Sequence, residues 1–377
     1  MGKLRSTNGC SPPILCVAVV LFYSLIAQAG AQDERLEGVH FKRDDQDRVV
    51  GLNYWGSVGL RRGLPPNTSQ LKGVHVYYGT KLTADDIAVL GGLDKVRDLM
   101  LGGVSSASEA VTVEGSLEKL AGMKGLRTLW LCKESCRDDD LEFITKLPEL
   151  ESVDLFADNY DYEPKSRITD RSAEFLKRAK KLQRISIYGS ERLTDKFVDV
   201  ISRELPDFED LELWLAPGLT DKSLELLANR CTKLKQLDLR SKRFTDRGVQ
   251  HLTAAKQLER LALESTPLTS ACAESVQKLT RLRMLTLSFP TIDEPAVRAI
   301  ASLPNLQILA MRKPALTAEQ FALFGKHAKL ESAFLDCTQI SEAQVIEVIQ
   351  TMPKLRHLEV GPNETLQTAV NRELLGR

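Results

Sequence analysis

Twelve copies of one frame, apolar-x-x-apolar-x-apolar, run through this 377-residue chain. They read "LKGVHV" ending at Val76, "VRDLML" at Leu101, "LRTLWL" at Leu131, "LESVDL" at Leu155, "LQRISI" at Ile187 and "FEDLEL" at Leu213. They continue as "LKQLDL" at Leu239, "LERLAL" at Leu263, "LRMLTL" at Leu287, "LQILAM" at Met311, "LESAFL" at Leu335 and "LRHLEV" at Val360. Successive copies end 24 to 32 residues apart, and an earlier "VVGLNY" ending at Tyr54 has the same form. Alternation of period two at the end of each frame predicts a short strand with its apolar side chains on one face. The gaps carry helical period. In "TDKSLELLANRCTKL", Leu224, Leu227, Ala228 and Cys231 stand at i, i+3, i+4 and i+7. Such a unit cannot bury its apolar edge alone, but a stack of units can. The expected fold is an α/β solenoid of 12 to 13 repeats, with a parallel inner sheet and outer helices.

A second periodicity lies where each helix should begin. The trio Leu219-Thr220-Asp221 recurs as Ile168-Thr169-Asp170, Leu193-Thr194-Asp195 and Phe244-Thr245-Asp246, and in weaker form as Leu82-Thr83-Ala84, Leu268-Thr269-Ser270 and Ile340-Ser341-Glu342. The first position is apolar and belongs in the core, where Cys136 takes its place in one unit. The second is Thr, Ser or Asp, the residues that accept from the orphan N–H groups of a helix start. Gln320 and Gln344, three residues further on, complete capping boxes. Acids at the third position suit the positive end of a helix dipole.

With these motifs the units resemble leucine-rich repeats of the helix-containing "LTDxxLxxLxxxxxLxxLxL" kind. That kind is shared by ribonuclease-inhibitor-like repeats, bacterial GALA-type proteins and the cysteine-containing repeats of eukaryotic F-box proteins. The resemblance covers about residues 49 to 361 and implies a curved horseshoe that binds other molecules without catalysis. Asparagine does not follow the strand as it does in plant and extracellular repeats; Ala216, Lys242 and Thr338 stand there instead. The chain contains no F-box sequence, so that family role is not carried over.

The ends differ from the array. "MGKLRSTNGCSPP" is basic, "ILCVAVVLFYSLIAQAGA" is apolar, and Ala27-Gln28-Ala29 or Ala29-Gly30-Ala31 offers a cleavage site. Residues 1–31 are therefore expected to be a secretory signal, with an uncleaved membrane anchor as the alternative. The working chain is then secreted, periplasmic or otherwise extracytoplasmic. Residues 32–60 are expected to form an N-terminal cap hairpin, Val39–Phe41 against Val49–Leu52, and the first repeat strand. Residues 61–361 form the array, and 362–377 a capping helix with Leu366, Val370 and Leu374 on one face. Two units are long, with polar insertions at 104–116 and 157–167 that map to loops. Cys132, Cys136, Cys231, Cys272 and Cys337 are an odd, scattered set without zinc spacing, which argues against a disulfide framework.

Chemistry is harder to find. Lys+Arg and Asp+Glu both count 51, so no global charge draws the chain to nucleic acid or an anionic membrane. The five histidines lie in separate units, and the acids in "TADDI" and "CRDDDLEF" sit at helix starts rather than in a metal cluster. Nothing resembles a phosphate loop, a nucleophile elbow or a zinc helix, so no catalytic, cofactor or metal site is expected. What remains is the inner sheet face, read from the residues just before and just after each frame's last apolar position. Trp130, Phe156, Tyr188 and Trp214 are expected to stack across four consecutive strands, exposed and flanked by Asp154, Arg184, Glu212, Asp238 and Arg240. Exposed aromatics beside charges make recognition surfaces. A protein partner held in the concavity is the first reading, and an envelope or extracellular glycan on the aromatic stripe is the alternative.

Overall fold

A computed structural model describes residues 39–376, except 55–59, 61–63, 66, 78–79, 103–111, 114–115, 133–135, 157–166, 190, 265–267 and 326. Residues 1–31, expected from the sequence to be a secretory signal, and most of the two long insertions lie outside the described residues. Fourteen strands form a single sheet in chain order, interrupted only by two short strands, Lys81–Leu82 and Thr112–Val113, that pair with each other apart from it. The chain is an α/β leucine-rich repeat solenoid.

Strict register explains why the frame has to repeat. Tyr54, Val76, Leu101, Leu131, Leu155, Ile187 and Leu213 pair strand to strand, and the row runs on through Leu239, Leu263, Leu287 and Met311. A shift of one residue would turn every apolar side chain of a strand away from the core. Within the parallel array the register slips after Ala310, at the bulged strand Ile308–Ala315. The apolar residues of all the units close into one continuous core running the length of the array.

The outer segments wind differently from unit to unit, and length alone does not decide it. The 24-residue unit ending at Met311 carries the eight-residue α-helix Glu294–Ala301, while the 30-residue unit ending at Leu131 carries the 3-10 segment Leu117–Gly122. The units ending at Leu213 and Leu239 span 26 residues and carry ten-residue helices, Asp195–Glu204 and Asp221–Arg230. The units ending at Leu263 and Leu287 span 24 and combine shorter α-helices, Asp246–His251 and Ala273–Gln277, with 3-10 turns. The unit ending at Leu155 also spans 24, and its outer segment Asp138–Lys146 is wholly 3-10. The tighter helix rises about 2.0 Å per residue against 1.5 Å, so it covers the same outer edge with fewer residues.

The threonine of each trio is a helix cap: Thr220 Oγ1 accepts from the Lys222 N–H. The aspartate does more than face a dipole. Asp195 in one repeat accepts both the N–H and the hydroxyl of Thr220 in the next. The same double bond joins Asp138 to Thr169, Asp170 to Thr194, Asp221 to Thr245 and Asp246 to Thr269, with the threonine N–H at 2.7–2.9 Å and Oγ1 at 2.6 Å. A Cβ on Gly248 would strike the Asp221 carboxylate, which is one reason for a glycine there. Outside this run Thr83, Thr317 and Ser341 are served from within their own helices, by Asp86, Gln320 and Gln344, while the cap Asp293 donates its N–H to Ser270 Oγ of the preceding repeat. Each of these caps thus meets an oxygen acceptor, from the preceding repeat or from its own first turn.

At the N-terminal edge Val39–Arg43 pairs antiparallel with Val49–Tyr54. At the other edge the helix Glu364–Leu375 lays Leu366 and Val370 on the core. Its Gln367 amide accepts from Val360 N–H and donates to Leu358 C=O, taking the place of a further strand. Replacing Asp195 with Ala removes its bonds to Thr220 and to the Ser223 hydroxyl. Urea unfolding should show a loss of about 1–3 kcal/mol, and a double-mutant cycle with Thr220→Val should be clearly non-additive. Additive losses would show that the two residues do not act together.

Candidate functional site

The inner face carries two parallel columns of side chains flanking the apolar row, and a third lies two residues further back along each strand. The first column runs His75, Met100, Trp130, Asp154, Ser186, Glu212, Asp238, Ala262, Thr286 and Ala310, each paired with the next. The second holds Phe156, Tyr188 and Trp214, followed by Arg240 and Glu264. Trp130 is therefore not part of the aromatic stack. It precedes its last apolar residue whereas the other three follow theirs, so it lies beside Asp154 in the other column. Phe156 is placed by its backbone pairing with Tyr188 alone, and its side chain is outside the described residues.

The aromatics are also less open than the sequence suggests. Trp130 and Trp214 are each 7% exposed, while Tyr188 is half-buried. Tyr188 meets Trp214 edge-on, ring centroids 5.2 Å apart at 61°, and the Arg240 guanidinium lies 4.1 Å over the same indole. Neighbouring strands stand only about 4.8 Å apart, so broad side chains in one column cover each other.

Charges fill the rest of the face in two interleaved groups. Arg184, which belongs to the third column with Asp210, binds Asp210 directly and reaches Glu212 at 3.1 Å and Asp154 at 3.4 Å. Ser186 donates to Glu212 at 3.3 Å, and Ser152 donates to Asp154 at 3.2 Å. In the second group Glu264 lies between Arg240 and Arg312, 3.6 Å from each, with Arg312 reaching across the strand that carries the small Ser288. The sequence pattern predicts Asp154, Arg184, Glu212, Asp238 and Arg240 near one another, and the structure does bring them together. It gives no prominence to the bridging Glu264, although Arg240, Glu264 and Arg312 alternate in charge along one column.

Burial dominates the electrostatics. Asp154, Asp210 and Asp238 are all pushed upward by desolvation, Asp210 and Asp238 to about 7, against the pull of Arg184 in the first two cases and Arg240 in the third. Glu212 adds to the upward shift in all three, and Glu264 adds to it at Asp238, where the nearby Trp214 indole draws it slightly back. Desolvation works against the charge on Arg184 as well, but Asp210, Glu212 and Asp154 outweigh it and hold the guanidinium firmly protonated. Asp238 is 7% exposed, and its Oδ1 has no hydrogen-bond donor; the Arg240 Nε is 3.9 Å away. Beside it a shallow pocket opens between Glu212, Asp238, Arg260, Ala262 and Met284.

A further residue carries no conspicuous sequence signal. Leu215, directly after Trp214, has φ of 58° and is 41% exposed. The left-handed conformation is strained for a branched side chain, by roughly 1–3 kcal/mol. Glycine holds the equivalent place after Tyr188, where Gly189 has φ of 76°. Aligning "YG" with "WL" would have raised the question. Elsewhere the acids set aside as helix-start residues prove occupied: Asp86 accepts from Thr83 and Leu60, and Asp138 from Thr169. The five described cysteines are buried thiols, and burial pushes Cys231, Cys272 and Cys337 up to about 12.

No family model matches the chain. Over 126 residues, 33% of its length, it is 29% identical to the F-box protein FBX14 of Arabidopsis thaliana, and it spans only 20% of that relative. Among solved structures it is similar to an internalin, InlF, from Listeria monocytogenes, at 18% identity with 78% of this chain and 82% of that one covered and a TM-score of 0.40. It is similar to Rad7 in the yeast Rad7–Elc1 complex, at 14% identity with 81% of each chain covered and a TM-score of 0.43. The receptor PEPR1 in its AtPEP1 complex matches at 15% identity over 85% of this chain and 46% of that one, with a TM-score of 0.41. These likenesses concern the repeat fold alone.

The buried Asp238 carboxyl has a pH signature. Its ordinary value is 3.8, and in the folded chain it titrates at about 7. Between the two the folded state keeps a proton that the unfolded state has released. The stability tied to this group is therefore full below about pH 4 and lost as pH rises through about 7. Asp238→Asn cannot ionise, so its unfolding free energy relative to the unaltered protein should rise by roughly 1–3 kcal/mol between about pH 5 and pH 8. A difference that does not change with pH would contradict the shift.

Proposed function

We propose that this chain is a non-catalytic protein–protein interaction module that receives its partner on the concave face. The observation that carries this reading is Leu215, an exposed leucine held in a strained conformation at the end of the strand that contributes Trp214 and Glu212. Strain at a non-glycine residue persists where the surrounding structure enforces it, and such positions gather at binding sites. Leu215 and Tyr188 form an apolar edge beside a field of buried, arginine-bridged carboxylates, the pairing of anchor and charge found at recognition surfaces. A glycan would need open aromatic platforms, and two of them are lost because Trp130 and Trp214 are buried and Arg240 covers the Trp214 ring.

The staple from each Asp to the following Thr supports placing the chain with the helix-containing "LTD" subclass of leucine-rich repeats. The basic-apolar-small pattern of residues 1–31 supports export, with the array working outside the cytoplasm and the F-box role of the Arabidopsis relative set aside. N-terminal sequencing of the exported protein should begin after Ala29 or Ala31. A mature chain still beginning at Met1 would overturn cleavage.

Crosslinking capture from the compartment in which the chain resides tests the interaction reading. Tyr188→Ala and Leu215→Gly should each lower recovery of the partner about ten-fold with the fold intact, because both side chains are partly open and glycine at 215 also relieves the left-handed strain. Trp214→Ala is the wrong probe, since removing a buried tryptophan costs about 3–5 kcal/mol of stability by itself. The reading fails if both concave variants capture as well as the unaltered chain while Lys222→Glu, on an outer helix, does not.

A further inference from the structure

The pocket beside Ala262 indicates which kind of group the partner brings. Its floor is low because Ala262 sits in the column between Asp238 and Thr286, where a larger side chain would fill the space. Asp238 and Glu212 both line it. The neighbouring arginines are mostly committed elsewhere, although the Arg240 Nε stands 3.9 Å from Asp238 Oδ1, beyond hydrogen-bond reach. Arg260 Nη1 donates to Gln236 at 2.7 Å, while Arg240 is held over the Trp214 ring and by Glu264. Glu212 is served by Arg184 and Ser186. Asp238 Oδ1 is left as a buried acceptor beyond hydrogen-bond distance of any donor, with Arg240 and the Trp214 indole nearby, and Asp238 forms part of the pocket wall. A buried acceptor in that state costs about 1–3 kcal/mol, which a donor from outside recovers on binding.

We propose that the concave centre receives a lysine side chain of a partner polypeptide, whose ammonium enters the water-sized pocket beside Ala262 and bonds to Asp238, while Leu215 and Tyr188 take an apolar residue of the same segment. This rests on the concave-face reading above and adds the chemistry of the occupant. The choice of a cation follows from the acids on the pocket wall: Glu212 already has Arg184, whereas Asp238 Oδ1 has no donor and the carboxyl keeps its proton up to about pH 7, so a cation entering beside it favours the ionised form. The pocket and Leu215 are separated by about three residues along the strand and one or two strands across, on the order of 10 Å. An extended segment with its basic and apolar residues roughly three positions apart spans that distance.

Random nonapeptides displayed on phage and panned against the full-length chain test this with no purified partner. Selected peptides should carry Lys at one position, in preference to Arg, and a large apolar residue about three positions away. Their binding should fall about ten-fold or more on Asp238→Asn, which removes the charge and keeps the shape, and on Ala262→Leu, which fills the pocket. Thermal unfolding of both variants confirms that they remain folded, and Asp238→Asn alone decides if Ala262→Leu does not. Peptides that need Tyr188 and Leu215 but lack a basic residue, or that bind Asp238→Asn equally well, would overturn the cationic occupant and leave the concave reading standing. No enrichment, or enriched peptides indifferent to Tyr188→Ala and Leu215→Gly as well, would overturn both.

Discussion

A strand–helix unit of about two dozen residues leaves its apolar edge open until the next unit is laid on it, and strict parallel register is what allows that to happen at every joint. The row from Tyr54 to Met311 keeps each apolar frame opposite the next. On the outer side the aspartate of one repeat holds the threonine cap of the following one, so inner and outer edges advance in step from Asp138 to Thr269. Where the aspartate is absent, Gln320 and Gln344 satisfy the cap locally, and Gln320 still reaches the preceding repeat by donating to the Ile292 C=O. Stability in such an array is close to a sum of unit and neighbour terms, so each staple adds to the neighbour term at its joint, and the tyrosine, tryptophan and carboxylates of the concave centre lie within the stapled run.

That placement has electrostatic consequences. Register brings side chains of equal position within about 4.8 Å of one another, which is costly for like charges. Arginines from adjoining columns offset much of that cost, Arg184 among Asp154, Asp210 and Glu212, and Arg240 and Arg312 about Glu264, but Glu212 and Asp238 still face each other on neighbouring strands. Each arginine is shared, each carboxylate is largely dry, and the balance leaves Asp238 under-served. The scaffold thereby holds ready a group that is better satisfied with a partner than without one.

Much of this was legible in the sequence because it is local. The apolar frames, the threonine caps and the capping boxes at Gln320 and Gln344 each depend on residues a few positions apart. The joining role of the aspartates was not legible, since it links residues about 23 to 31 positions apart that only the stack brings together. The burial of the two tryptophans was hidden for a related reason. Exposure on a sheet face depends on which side chains lie on adjacent strands, and Arg240 covering Trp214 is a tertiary fact. Trp130 stands two positions earlier in its frame than the other aromatics do in theirs, which is enough to move it to a different column. Leu215 could have been found by aligning the residues that follow each strand, where glycine elsewhere marks the left-handed turn.

On this view the conspicuous repeated residues build the array, and the interleaved ones on the central strands bind. A saturation scan of every position, displayed on cells and sorted once for protease resistance and once for binding of the captured partner, measures both properties together. Substitutions that damage binding but not folding should concentrate at Tyr188, Leu215, Asp238 and Ala262, while those that damage both should follow the frame leucines and the Asp and Thr of the staples. Binding-only positions scattered over the outer helices, or missing from the concave strands, would contradict it.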